Sequence, residues 1–75
     1  MQKLTDLKEG QKARISAIDG DRCYLSRITS IGLNVGCTVE MLQNVKNRPI
    51  LVYGRDTMIA LNQRESERIK VEVTN

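Results

Sequence analysis

The chain has 75 residues, of which 40% are apolar and 28% charged, a balance that fits one soluble globular domain spanning 1–75 and excludes a disordered chain. Its net charge of +3 comes from 12 basic and 9 acidic residues interleaved without like-charge blocks, which argues against a nucleic-acid or anionic-membrane footprint. There is no His, Phe or Trp, so the usual general base at neutral pH is missing and the core must be built from Ile, Leu, Val, Met and Ala.

Leu4 and Leu7 precede Lys8-Glu9-Gly10, a turn that introduces the first strand. From Gln11 to Ile18, Ala13, Ile15 and Ala17 alternate with Lys12, Arg14 and Ser16, the pattern of a half-buried strand. Ile18 breaks the alternation just before the turn signal Asp19-Gly20-Asp21. From Arg22 to Ile31 the period lengthens to three, with Leu25, Ile28 and Ile31 on one stripe. Asp19 or Asp21 can cap the start, and Gly32 stands where a left-handed C-terminal residue is wanted. This is a short amphipathic helix that must lean on the rest of the fold.

A second turn, Leu33-Asn34-Val35-Gly36, leads to a strand over Thr38 to Val45 with Val39 and Met41 on one face. A basic loop, Asn44 to Arg48, follows, and Pro49 opens the next strand. Ile50-Leu51-Val52-Tyr53 and Met58-Ile59-Ala60-Leu61 flank the hairpin turn Gly54-Arg55-Asp56. Both strands are apolar on both faces, so their outer side needs a cover; the helix from Arg22 to Ile31, with Leu4 and Leu7, is expected to supply it, the alternative being a partner. Asn62 followed by Glu65 forms a capping-box pattern for one helical turn. Ile69, Val71 and Val73 alternate with polar residues in a final strand. The count is five strands, one short helix and one helical turn, an all-β fold.

Cys23 and Cys37 form no Cys-x-x-Cys pair and read as partly buried small hydrophobes. The nine carboxylates lie in turns or on polar faces, and Gly32 to Gly36 lacks the lysine and hydroxyl of a phosphate loop. Ferrous iron favours imidazole together with carboxylate, and imidazole is absent, so solvated turn carboxylates account for Asp19 and Asp21. No catalytic, cofactor or metal-ligating residue is assigned, and the chain reads as a non-enzyme. The N-terminus has no apolar stretch of the signal-peptide type and no run approaches the ~20 residues that span a bilayer, so a cytoplasmic location is expected.

The motifs, taken in order, resemble one family. Leu4 to Gln11 resembles the opening Leu-x-x-Leu-x-x-Gly of the FeoA family, and Arg27 to Gly36 its central Arg-Leu-x-x-Leu-Gly-Leu-x-Pro-Gly signature. Arg48-Pro49-Ile50 is similar to its Asp-Pro-Ile, and Ala60-Leu61, Glu65-Ser66 and Ile69-Lys70-Val71 to its closing elements. Val35 stands in place of the signature proline and Arg48 in place of an aspartate. The resemblance implies a small SH3-like barrel without activity or cofactor of its own. It implies an accessory of bacterial ferrous iron uptake that binds the cytoplasmic part of the transporter FeoB, at the inner face of the membrane and without inserting into it, self-association being left open. By position in the signature, Gly32 and Gly36 are structural turn residues, whereas Arg27 and Leu33, with Leu25 on the helix stripe, are candidate partner contacts, since a charged helix residue and a loop leucine need no core role. Two other readings are an SH3-like regulatory domain of the iron-dependent repressor type and a small nucleic-acid-binding barrel. The first normally follows a DNA-binding segment, and this chain starts at the barrel; the second needs stacking aromatics and a basic groove, and this chain has only Tyr24 and Tyr53 and scattered charges.

Overall fold

The computed structural model describes residues 2–74; Met1 and Asn75, the ends of the 1–75 span, lie outside the described residues. Six antiparallel strands form a single sheet: β1 (Gln2–Lys3), β2 (Lys12–Ile18), β3 (Thr38–Gln43), β4 (Ile50–Gly54), β5 (Thr57–Leu61) and β6 (Ile69–Val73), in the spatial order β1-β6-β2-β3-β4-β5. Five match the strands read from the alternation, and the two-residue β1 is additional, paired with β6 through Gln2↔Val71 and Lys3↔Lys70. Helix α1 (Arg22–Ser30) joins β2 to β3, the short helix α2 (Gln63–Glu67) joins β5 to β6, and Leu4–Asp6 forms one 3-10 turn. The molecule measures 30 × 26 × 25 Å, so the sheet curls around its own core rather than lying flat.

That core is aliphatic, as the lack of Phe and Trp demands. Ala13 and Ile15 of β2, Val39 and Met41 of β3, Ile50 and Val52 of β4, Ile59 and Leu61 of β5, and Ile69 and Val71 of β6 all point inward, and Leu4, Leu7, Ile28 and Leu33 close the ends. Two bulges explain where the period-two pattern fails. In β2 the register shifts between Ile15 and Ala17, which turns Ile18 back toward the core and accounts for its broken alternation. In β3 the register shifts between Met41 and Gln43, leaving Leu42 without an opposite residue on β4, and the strand ends at Gln43 rather than reaching Val45. Past the bulge, the Asn44 side chain donates to the carbonyls of Thr5 (3.0 Å) and Leu7 (2.6 Å), tying the loop to the N-terminal turn.

The β4–β5 hairpin differs from its sequence signature in an instructive way. Gly54 is the last residue of β4 and is needed for space, because a Cβ there would sit 3.0 Å from Val39 Cγ1. The left-handed angles of the two-residue turn fall instead on Arg55 (φ 53°) and Asp56 (φ 62°), as a turn matched to the strand twist requires.

The expected cover for the doubly apolar strands is not there. Leu4 and Leu7 join the interior cluster and α1 contributes Ile28 to it, while on the outer side Tyr53 is 43% and Met58 61% exposed, Leu42 39%, and Ala60 is exposed as well. The N-terminal turn is held on the inner side by Asn44, which leaves the outside of β4 and β5 open. Cys23 is likewise exposed rather than packed, and Cys37 is half-buried; both thiols are free.

Asn44 thus serves two main-chain carbonyls of the N-terminal segment. Asn44→Ala is expected to lower unfolding free energy by about 1–3 kcal/mol, read from urea denaturation, with the strand content unchanged by circular dichroism.

Candidate partner-binding surface

Helix α1 starts and stops on strong local signals. Asp21 is the N-cap, its carboxylate accepting from the Tyr24 backbone N–H at 2.8 Å. At the other end Ile31 is the C-cap and Gly32 takes φ 103°. The N–H of Gly32 donates to the Thr29 carbonyl (3.0 Å) and that of Leu33 to the Ile28 carbonyl (3.1 Å), the paired bonds of a Schellman motif. Gly36 also has positive φ (96°), and its N–H donates to the Ile15 carbonyl at 2.8 Å, pinning the loop to β2. Both glycines thus sit in turns with left-handed backbone angles.

This motif corrects one assignment. Leu33 is not a surface contact: it is 1% exposed. In a Schellman motif the residue two beyond the cap packs against the helix residue three back from its end, and here that pair is Leu33 and Ile28, both in the core. The exposed apolar side chain of the loop is Val35, at 62%, the position where the family pattern has proline. The spacing of Leu33 from Gly32 was itself the signal that could have identified its burial.

Leu25 and Arg27 do face outward. Leu25 is 37% exposed and, with Arg22, Ser26, Thr29 and Ser30, lines a shallow depression on the outer side of α1. Arg27 lies to one side, with its side chain 62% exposed and one guanidinium nitrogen ion-paired to Glu65 of α2. Structure therefore brings Leu25 and Arg27 onto one helix and removes Leu33 from their company.

Glu65 is the residue that sequence reasoning saw only as a cap. It does act as one: its backbone N–H donates to Asn62 Oδ1 (2.7 Å), and its Oε1 accepts from the Asn62 N–H (3.3 Å). Its second oxygen, however, takes Arg27, and its carbonyl accepts the Tyr24 hydroxyl. Arg68 stacks over the Tyr24 ring, 5.4 Å from its centroid. Tyr24, Arg27, Glu65 and Arg68 together clasp α1 to α2. Burial raises the Tyr24 phenol above its ordinary value of 10.0, opposed by the nearby Arg68 and Arg27 charges, so at neutral pH the hydroxyl keeps the proton it donates to the Glu65 carbonyl.

The remaining polar chemistry is dispersed. Among the described residues no group of three or more His, Cys, Asp or Glu is placed to hold a metal ion; Asp21 caps α1, and the backbone N–H of Asp19 donates to the Arg68 carbonyl at 2.8 Å. No helix among the described residues is long and apolar enough to cross a membrane.

Comparison with known proteins places these features in a family context. The model of the FeoA domain family matches residues 2–73. A Methanocaldococcus jannaschii protein named as a Fe(2+) transport protein A is 28% identical over 72 residues, covering 96% of this chain and 87% of its own. The zinc-complexed FeoA of Stenotrophomonas maltophilia, described as a prokaryotic SH3 domain protein, superimposes with a TM-score of 0.81 at 23% identity, over 96% of this chain and 91% of that one. A manganese-dependent transcriptional repressor gives a TM-score of 0.90 at 18% identity, over 97% of this chain and 36% of that one, a likeness of fold. The barrel is thus of the SH3-like kind.

Two outcomes check the site as described. Leu33→Ala is expected to cost about 2–5 kcal/mol of stability, against less than about 1 kcal/mol for Leu25→Ala, both from urea unfolding. Because the folded state keeps Tyr24 neutral where the unfolded chain ionises, the stability it contributes is complete below about pH 10 and is lost as pH rises through the raised folded value. The stability difference between wild type and Tyr24→Phe therefore narrows above pH 10, while a constant difference would show that the phenol titrates alike in both states.

Proposed function

The chain belongs to the FeoA family, and from that premise we propose that it is an accessory protein of ferrous iron uptake, a non-enzyme that acts by docking on the cytoplasmic part of the transporter FeoB. The observation that carries this reading is the family match over residues 2–73, which includes the helix, the Schellman turn and the loop to Gly36. The M. jannaschii relative, named for Fe(2+) transport, supports the same assignment to iron uptake.

The surface supports docking as the mode of action. Helix α1 turns Leu25, Ser26, Thr29 and the guanidinium of Arg27 outward on a short rigid element, and its only full-length anchor in the core is Ile28. Arginine is enriched among the residues that carry binding energy at protein interfaces, and Leu25 adds exposed apolar area on the same helix. Glu65 is engaged by Arg27 and the Asn62 cap, and the Tyr24 hydroxyl by the Glu65 carbonyl. Iron in this reading is the cargo of the transporter and needs no resident site in the barrel.

Isothermal titration of this chain against the cytoplasmic GTP-binding domain of FeoB tests the proposal. Binding is expected, weakened by about fivefold or more in Leu25→Ala and in Arg27→Ala, the loss that marks a contributing interface residue. Glu65→Gln serves as the control, since it breaks the ion pair but keeps Arg27; it should bind more tightly than Arg27→Ala. No binding by the wild type would overturn the function, and full affinity in the Leu25→Ala, Arg27→Ala double variant would move the surface away from α1.

A further inference from the structure

The two edges of the sheet are not alike. The edge at β1 is two residues long and carries Lys3. The edge at β5 is five residues long, Thr57-Met58-Ile59-Ala60-Leu61, and pairs with β4 in unbroken register from Ile50↔Leu61 to Gly54↔Thr57. Natural sheets blunt such edges with a charge, a proline or a bulge, and β5 has none of the three. Thr57, Met58 and Ala60 are all exposed.

Main-chain direction along β5 follows from the hairpin. In a two-residue turn the flanking residues, here Gly54 and Thr57, exchange both main-chain bonds. Thr57, Ile59 and Leu61 then direct their N–H and C=O groups to β4, and the alternation leaves those of Met58 and Ala60 directed away from the sheet. No turn, loop or side-chain bond among the described residues takes them up.

We propose that β5 is a self-pairing edge, through which two copies of this chain associate antiparallel about a two-fold axis at Ile59. That axis sets Met58 of one copy across from Ala60 of the other, and Ala60 across from Met58. These are the residues with outward N–H and C=O groups, so four main-chain bonds close with no change of strand conformation. The same register puts the long Met58 side chain over the small Ala60 on the outer face, at both ends of the junction. Pairing centred on Met58 or on Ala60 would bring like side chains together and match fewer outward groups within the strand. A strand of this length buries well under the roughly 800 Å² per partner of a standard interface, so the dimer is weak and forms at high local concentration. This inference does not rest on the transporter reading and stands or falls separately from it.

Hydrogen exchange by NMR together with sedimentation, from micromolar to millimolar protein, tests it. The Met58 and Ala60 amides should exchange fast in dilute solution between protected neighbours, and slow by at least about tenfold as the dimer fills by mass action. Ala60→Pro removes an N–H that the fold does not use, a substitution edge strands tolerate, and should sediment as a monomer throughout. If that variant does not fold, Met58→Lys, which places an edge charge, serves the same purpose. Tyr53→Lys, on the outer face of β4 away from the edge, should still dimerise. A wild type that stays monomeric at millimolar concentration overturns the proposal, and so does association that survives Ala60→Pro or Met58→Lys but is lost in Tyr53→Lys.

Discussion

The arrangement of this protein's surface depends on one carboxylate. Glu65 is only 8% exposed, a setting in which an unpaired charge would cost several kcal/mol on the order expected for an ion in a low-dielectric site. It is tolerated because each oxygen is served, one by the Asn62 N–H and one by Arg27. Through that pairing the five-residue α2 becomes the anchor for α1. Nine residues are too few for a helix to persist by propensity alone, and α1 sends only Ile28 wholly into the core. The polar clasp, with the Tyr24 hydroxyl on the Glu65 carbonyl and Arg68 over the ring, supplies the orientation that apolar burial leaves loose. Remove it, and the direction in which Leu25 points is no longer fixed.

What could be read from the sequence was what local chemistry determines. An aspartate N-cap at Asp19 or Asp21, of which Asp21 takes the role, Gly32 as the left-handed stop, the Asn62–Glu65 capping box and the alternation of β2 and β6 all depend on residues within a few positions of one another. The errors share a different origin. Ile18 turns toward the core and β3 stops short of Val45 at bulges, and a bulge is set by how two strands register, which one strand's pattern does not reveal. Leu33 is buried despite its loop position because the glycine before it directs an apolar contact back onto the helix. Gly54 fell outside the turn it marked, because its role is to admit Val39 from β3, a residue distant in sequence. The open outer side of β4 and β5 was legible as an excess of apolar residues; which element covers it was not, since that depends on where Asn44 tethers the N-terminal turn.

The outside of the barrel is itself divided. On β2, β3 and β6, residues opposite one another on neighbouring strands carry opposite charges, as in Lys12↔Glu40 and Arg14↔Glu72, a pairing that suits a face in water. Past Glu40 the rows turn apolar, through Tyr53 to Met58 and from Leu51 to Ala60. A barrel of this size fills its interior with one inward face per strand, so the second apolar face of β4 and β5 adds nothing to the core. The buried Glu65 carboxylate and the partly buried Tyr24 phenol both hold the helices together. Selectivity in such a molecule must come from which apolar side chains are left outside and how rigidly they are held. In this chain those side chains are Leu25 on α1, Tyr53 and Met58 on the β4–β5 hairpin, Leu42 beside them on β3, Val73 on β6, and Val35 and Val45 in loops.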